Sequence, residues 1–169
     1  SDSSPQRLID ARYRDFLYWS SHGSQTRANL SYGASGEGGS YYWMDGINNV
    51  LNTGTGSSFN SSVYWNNGLK WVILAACYQM SDTSSISSAR ETWARAMLGS
   101  SNPVRTISGY IGSGPTDDLG ILDRYFLIAN TYYIPRCWVI ANIQEGFVSN
   151  GPASLYHSIA LEEFLPGGV

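Results

Sequence analysis

The sequence predicts an α/β fold, a three-layer α/β/α sandwich around a mostly parallel sheet. Short apolar runs bounded by turn-forming residues alternate with segments of helical periodicity over the second half of the chain. The run Trp71 to Cys77 is apolar at successive positions, as a central strand covered on both faces requires. A chain of 169 residues has the size of one domain, and we expect residues 1–169 to form a single domain.

The first 70 residues offer one clear strand. The aromatic run Phe16 to Trp19 is apolar and ends at the turn formers that surround His22. Residues 24–68 are rich in Gly, Ser, Asn and aromatic residues and hold no long periodic pattern, although Tyr41 to Leu51 predicts a short helix. An irregular segment of that length inside a compact domain usually carries function.

The second half alternates between the two kinds of element. After the strand that ends at Cys77, the pattern predicts helix 86–98, strand 104–111, a helix from Thr116 to about Thr131, strand Cys137 to Ile143 and a terminal helix from Ser158 to Phe164. Apolar residues at helical spacing predict the inner faces of the first two helices, which are Ala89, Trp93, Ala96 and Met97 in one, and Leu119, Leu122, Phe126 and Ala129 in the other.

The composition excludes several classes of function. A formal net charge of -3 provides no basic stripe, so nucleic acid is not an expected partner. No run reaches the roughly 18 apolar residues of a membrane span, and Ser1 to Gln6 has no basic-then-apolar pattern of a signal peptide. One lysine, Lys70, accompanies nine arginines among abundant Ser and Asn. This composition favours a secreted or cell-surface bacterial protein, with a cytoplasmic one as the alternative.

The cysteines and histidines are few. Cys77 and Cys137 allow a single disulfide, and a buried free thiol at each position is the alternative. The histidines are His22 and His157, and no CxxC occurs, so we expect neither a metal site nor a cofactor.

His22 and Cys77 follow the two most buried-looking strands of the first half. Ligands bind beyond the carboxyl ends of parallel strands, and adjacent strands bring these ends together. Cysteine attacks as a thiolate, and an imidazole can accept its proton and later deliver it to a leaving group. The amides of Gly23 and Cys77 would serve as an oxyanion hole. A turn histidine and a core cysteine are the structural alternatives.

These residues resemble a known family. The run FLYWSSHG ends in His22-Gly23, and the run WVILAAC ends in Cys77. Cys77 lies 55 residues after His22. This arrangement resembles the caspase–legumain–gingipain group of cysteine peptidases, and within it bacterial caspase-like domains, over residues 14–143. The resemblance implies a thiol protease, a hydrolase that cleaves a peptide or protein substrate through an acyl-enzyme. His22 would be its general base and acid, Cys77 its nucleophile, and the Gly23 and Cys77 amides its oxyanion hole.

The sequence departs from that family at three places. Gln79 stands where caspases carry Gly, and Ala75 stands where the clostripain-like branch carries an acid that binds basic side chains. The family fold has two strands before the histidine strand, whereas 15 residues precede Phe16. We therefore expect those strands to be missing or to lie on a second chain. The alternative function is a catalytically inactive caspase-like domain that binds a peptide or protein.

Three further residues are candidates for substrate binding. Trp43 belongs to a group of aromatic residues in the predicted loop 41–65; the other members are Tyr41, Tyr42, Tyr64 and Trp65. These side chains would line a peptide or sugar groove, or else form an apolar cluster under that loop. If they line a sugar groove, the domain is a carbohydrate-binding one. Asp117 and Asp118 follow a glycine-rich turn, where they would face a basic substrate side chain or stabilise the helix dipole.

Overall fold

A computed structural model describes residues 10–24, 28–32, 40–45, 50–52, 58–60, 65, 68–82, 89–98, 102–115, 119–148 and 151–156. Its elements in chain order are β1 Phe16–Ser20, β2 Asn29–Tyr32, β3 Ser40–Asp45, β4 Val50–Asn52, β5 Ser58–Asn60, β6 Trp71–Ala75, α1 Ala89–Leu98, β7 Thr106–Tyr110, α2 Leu119–Ile128, α3 Ile134–Gln144 and β8 Pro152–Tyr156. Within these residues no helix has the length and apolar character that a membrane crossing needs. The predicted terminal helix from Ser158 to Phe164 and His157 lie outside the described residues.

The main sheet has the strand order β1-β6-β7-β8. β1, β6 and β7 are parallel, and β8 pairs antiparallel with β7. In register, Ser20 is opposite Ala75 and Leu74 is opposite Gly109. The predicted α/β class with a mostly parallel sheet is therefore confirmed, and the carboxyl ends of three strands meet at one edge.

Side chains alternate between the two faces of the sheet along each strand, and a hydrophobic core lies on each face. Val72 and Leu74 of β6 belong to one core together with Trp93 of α1. Ile73 and Ala75 belong to a second core together with residues of α2 and α3, among them Trp138. The unbroken apolar run of β6 is thus explained by burial on two sides.

The predicted strand Cys137 to Ile143 is wrong, because this run lies in helix α3. Pro135 occupies the first turn of α3, where its missing N–H costs nothing and its fixed φ suits a helix. Buried Cys137, Trp138 and Ala141 then recur at helical spacing. A fully apolar run does not distinguish a buried strand from a buried helix by periodicity. The fourth strand of the main sheet is β8, which the sequence pattern did not predict.

The predicted helix Tyr41 to Leu51 is also wrong. These residues contribute to β3 and β4 of a second, antiparallel sheet with the strand order β2-β3-β4-β5. The segment between β1 and β6 is therefore not an irregular loop but contains four short strands. Strong β formers such as Tyr41, Tyr42 and Trp43 prefer extended backbone over the helix that was predicted.

The other helices match their predicted positions. α1 buries the predicted face, with Ala89, Trp93, Ala96 and Met97 all inside. In α2 the buried stripe is Ile121, Tyr125 and Ile128, whereas the predicted member Phe126 is 52% exposed. The observed stripe has the same spacing as the predicted one and is shifted by one position along the chain. Periodicity alone therefore does not distinguish the two stripes.

Candidate functional site

His22 and Cys77 occupy equivalent places on neighbouring strands. Each lies two residues beyond the last residue of its strand, β1 for His22 and β6 for Cys77. The strand ends Ser20 and Ala75 are paired, and the Ser21 N–H donates to the Ala75 carbonyl at 3.3 Å. His22 is exposed and Cys77 is half-buried. The predicted pair therefore lies at one edge of the sheet, in adjacent loops.

The backbones at Gly23 and Cys77 are in direct contact. A Cβ added to Gly23 would overlap the Cys77 carbonyl oxygen and lie 3.1 Å from the Cys77 amide nitrogen. It would also lie 2.7 Å from Nε2 of Gln79. Only glycine fits this approach without displacement of backbone. The structure thus brings together the two residues whose amides were predicted to form an oxyanion hole.

The loop after β7 closes on the same place. The Gly114 N–H donates to Sγ of Cys77 at 3.3 Å. The Tyr78 N–H donates to the Gly112 carbonyl at 2.8 Å, and the Met80 N–H donates to the Tyr110 carbonyl at 2.9 Å. Loops from three parallel strands therefore meet around Cys77.

Tyr78 adopts a left-handed backbone conformation, with φ of 64°. A non-glycine residue in this region costs of order 1 kcal/mol and persists only where its surroundings fix it. Here the turn is fixed by the Tyr78 N–H bond to Gly112, and it reverses the chain immediately after Cys77. Such backbone strain is concentrated at functional sites.

A buried side-chain amide that the sequence reasoning did not select joins these loops. Gln79 has 0% exposed surface, and its Nε2 donates to the Cys77 carbonyl at 2.9 Å and to Oδ1 of Asn29 at 3.3 Å. Oδ1 of Asn29 also accepts the Ser24 N–H at 2.9 Å. The one signal in the sequence is a polar residue two positions after Cys77, close to the end of the most apolar strand.

The remaining predicted residues lie elsewhere. Trp43 is in β3, paired in register with Asn29. Asp117 and Asp118 lie outside the described residues. Trp65 is 1% exposed and belongs to the main core, so it does not line a groove. Ala75 is 7% exposed and belongs to the core that it shares with residues of α2 and α3.

Both cysteines are free thiols, so the disulfide alternative is not realised in the structure. Cys137 is buried in α3, and its S–H donates to the carbonyls of Tyr132 at 3.6 Å and Tyr133 at 3.5 Å. Burial raises the pKa of the Cys137 thiol, against a smaller lowering by a backbone hydrogen bond. The same burial raises the pKa of Tyr125 to about 12, with Cys137 adding to the effect.

The described residues contain no group of three or more His, Cys, Asp or Glu side chains that could hold a metal ion. A groove of about 460 Å³ lies at the opposite, amino end of β6 and β7, where Trp71, Arg105 and Tyr133 are among the lining residues. It includes no residue predicted for the site, and in an open parallel sheet the carboxyl edge is where ligands bind.

Comparison with models of protein families finds no match, and comparisons with curated proteins and with solved structures find none either.

Proposed function

We propose that this chain is a cysteine endopeptidase of the caspase-like type, with Cys77 as nucleophile and His22 as general base and acid. The observation that carries the proposal is the contact between Gly23 and the Cys77 backbone. A side chain at position 23 would overlap the Cys77 carbonyl oxygen. This close approach brings together the backbones of the two residues proposed for the oxyanion hole, beside a sulfur that accepts an N–H bond from Gly114.

The reaction follows from these groups. His22 accepts the proton of the Cys77 thiol, and the thiolate attacks the scissile carbonyl carbon to form a C–S bond. The amides of Gly23 and Cys77 stabilise the resulting oxyanion. When the C–N bond breaks, His22 gives the proton to the leaving amine. Water then attacks the thioester with His22 as base, which releases the carboxylic acid and restores the thiol.

The expected context of this activity is a bacterial protein that is secreted or at the cell surface, acting on peptides or proteins. β1 lies at one end of the described strand order, next to β6 alone. In the caspase-like type two further strands belong beside the histidine strand, and we propose that they pair with this edge of β1. The low charge and the small number of lysines support the extracellular setting.

The experiment is a cleavage assay on the full chain, with casein and a pool of fluorogenic peptides as substrates. Cys77→Ala and His22→Ala should abolish cleavage, whereas Cys137→Ala, which removes the other thiol, should retain it. Iodoacetamide should label Cys77 faster than it labels glutathione. If labelling is no faster and Cys77→Ala cleaves as the wild type does, the peptidase proposal fails and the inactive, peptide-binding domain takes its place.

A further inference from the structure

Gln79 makes four hydrogen bonds that use its whole capacity. Its Oε1 accepts from the Asn29 N–H at 2.8 Å and from Nε1 of Trp93 at 2.9 Å. Its Nε2 donates to the Cys77 carbonyl and to Oδ1 of Asn29. A backbone N–H and an indole N–H only donate, so they must face the oxygen of the amide. Chemistry therefore fixes this orientation, and a flipped amide would lose all four bonds.

The network holds two particular peptide groups. The carbonyl of Cys77 belongs to the peptide that follows Cys77, and the Ser24 N–H belongs to the peptide that follows Gly23. Gln79 holds the first directly and holds the second through Asn29. The Gly23 backbone itself packs against the Gln79 amide. Each residue predicted to donate to the oxyanion is thus anchored on its carboxyl side by one network.

We propose that Gln79 is a positioning residue, whose amide sets the spacing between the Gly23 and Cys77 backbones and so aligns the oxyanion hole. The inference rests on the proposed function and deepens it, because it assigns to a residue outside the substrate's reach the control of the acyl-transfer step. Trp93 of α1 orients Gln79 from the other side. A misplacement of about 1 Å in such a geometry costs about 10²-fold in rate.

The test separates two reactions of the same thiol. Iodoacetamide alkylates Cys77 by displacement of iodide and forms no oxyanion. p-Nitrophenyl acetate transfers its acetyl group to the Cys77 sulfur and releases p-nitrophenolate, through an oxyanion that the two amides would stabilise. The ratio of acylation rate to alkylation rate therefore reports the oxyanion hole and is insensitive to the amount of folded protein.

Gln79→Met, which keeps the length of the side chain and removes its amide, should lower this ratio about 10²-fold. The matched control is Asn142→Leu, which removes another fully buried amide, on α3, and should leave the ratio unchanged. Trp93→Phe removes one donor to Gln79 and should lower the ratio several-fold. If Gln79→Met does not fold, Trp93→Phe decides the question.

The outcomes are distinct. A wild-type ratio in Gln79→Met, or in Trp93→Phe when only that variant folds, overturns the positioning role while the peptidase proposal stands. Acetylation of wild-type Cys77 that is no faster than that of glutathione overturns the proposed function, and the positioning role with it.

Discussion

The two cysteines of this chain have opposite hydrogen-bond environments. Cys137 is fully buried, and its thiol donates to two backbone carbonyls in front of α3. Cys77 is half-buried beyond β6, and its sulfur accepts an N–H from Gly114. The Cys137 thiol thus acts as a hydrogen-bond donor, whereas the Cys77 sulfur acts as an acceptor. The surrounding backbone, rather than the residue type, thus decides whether each sulfur donates or accepts.

The environment of Cys137 also shows which of two opposing effects dominates. A cysteine in the first turns of a helix commonly has a lowered pKa because the helix dipole favours the thiolate. In α3 burial outweighs a backbone hydrogen bond that lowers the pKa of Cys137, and that pKa is raised. A helix start therefore does not by itself activate a thiol when the sulfur is removed from water and faces carbonyl oxygens.

The largest expected difference between the two sites is in alkylation. Cys77 is accessible in the native state, while Cys137 reacts only when the structure around α3 opens. An opening free energy of about 4 kcal/mol would make Cys137 about 10³-fold slower. Mass spectrometry of tryptic peptides after timed exposure to iodoacetamide measures both rates. In urea the two rates should converge, and equal native rates would show that the contrast does not exist.

A methyl group at position 23 should disturb only the Cys77 side of this comparison. Gly23→Ala forces the new Cβ into the Cys77 carbonyl, which costs about 1–3 kcal/mol of folding free energy as overpacking. The acetylation rate of Cys77 should fall about 10²-fold. Urea unfolding and the p-nitrophenyl acetate assay measure the two effects.

Gly120→Ala is the control for Gly23→Ala. Its Cβ would lie 3.1 Å from the carboxylate of Glu145, a flexible side-chain end that can move. Because Gly120 is in helix α2, alanine there should stabilise the fold by up to about 1 kcal/mol. A Gly23→Ala variant as stable and as reactive as the wild type would mean that the two loops are not tightly packed.

The sequence was sufficient for the parts of the fold that periodicity decides. β1, β6, β7 and α1 follow from apolar runs bounded by turn residues, and the shared edge follows from parallel pairing. The Cys137 run was misassigned because a helix buried in a core has no polar face to reveal its period. The four strands between β1 and β6 are short, and three residues of β4 or β5 carry too little pattern to be recognised.

The same distinction between local pattern and tertiary contact applies to the candidate site. The common position of His22, Gly23 and Cys77 at one sheet edge was predictable because each stands just after a strand-like run. Gln79 was not, since its importance lies in contacts with Asn29 and Trp93, which are 50 and 14 residues away in the chain. Residues that act through distant hydrogen bonds leave no periodic signal, and tertiary structure is needed to find them.

Truncation of each cysteine should separate stability from reactivity. Cys137→Ala leaves a small cavity in the core with α2 and should lower the unfolding free energy by about 1–2 kcal/mol. Cys77→Ala, at a half-buried position, should change it by at most about 0.5 kcal/mol. Urea denaturation followed by tryptophan fluorescence gives both values. A larger loss for Cys77→Ala would assign Cys77 to the core.

The last effect is confined to alkaline pH, where Tyr125, in the same core as Cys137, should titrate. Burial raises the pKa of Tyr125 from 10.0 to about 12, so between those pH values the unfolded chain releases a proton that the folded chain retains. The unfolding free energy contributed by this group is therefore fully present below pH 10 and falls as the pH rises towards 12.

Tyr125→Phe should flatten that decline in urea unfolding curves, because it removes the group that titrates. Cys137→Ala should weaken the decline, since the Cys137 thiolate opposes ionisation of Tyr125 and its own raised pKa acts in the same direction. A decline in Tyr125→Phe as steep as that of the wild type would show that another group causes the alkaline sensitivity.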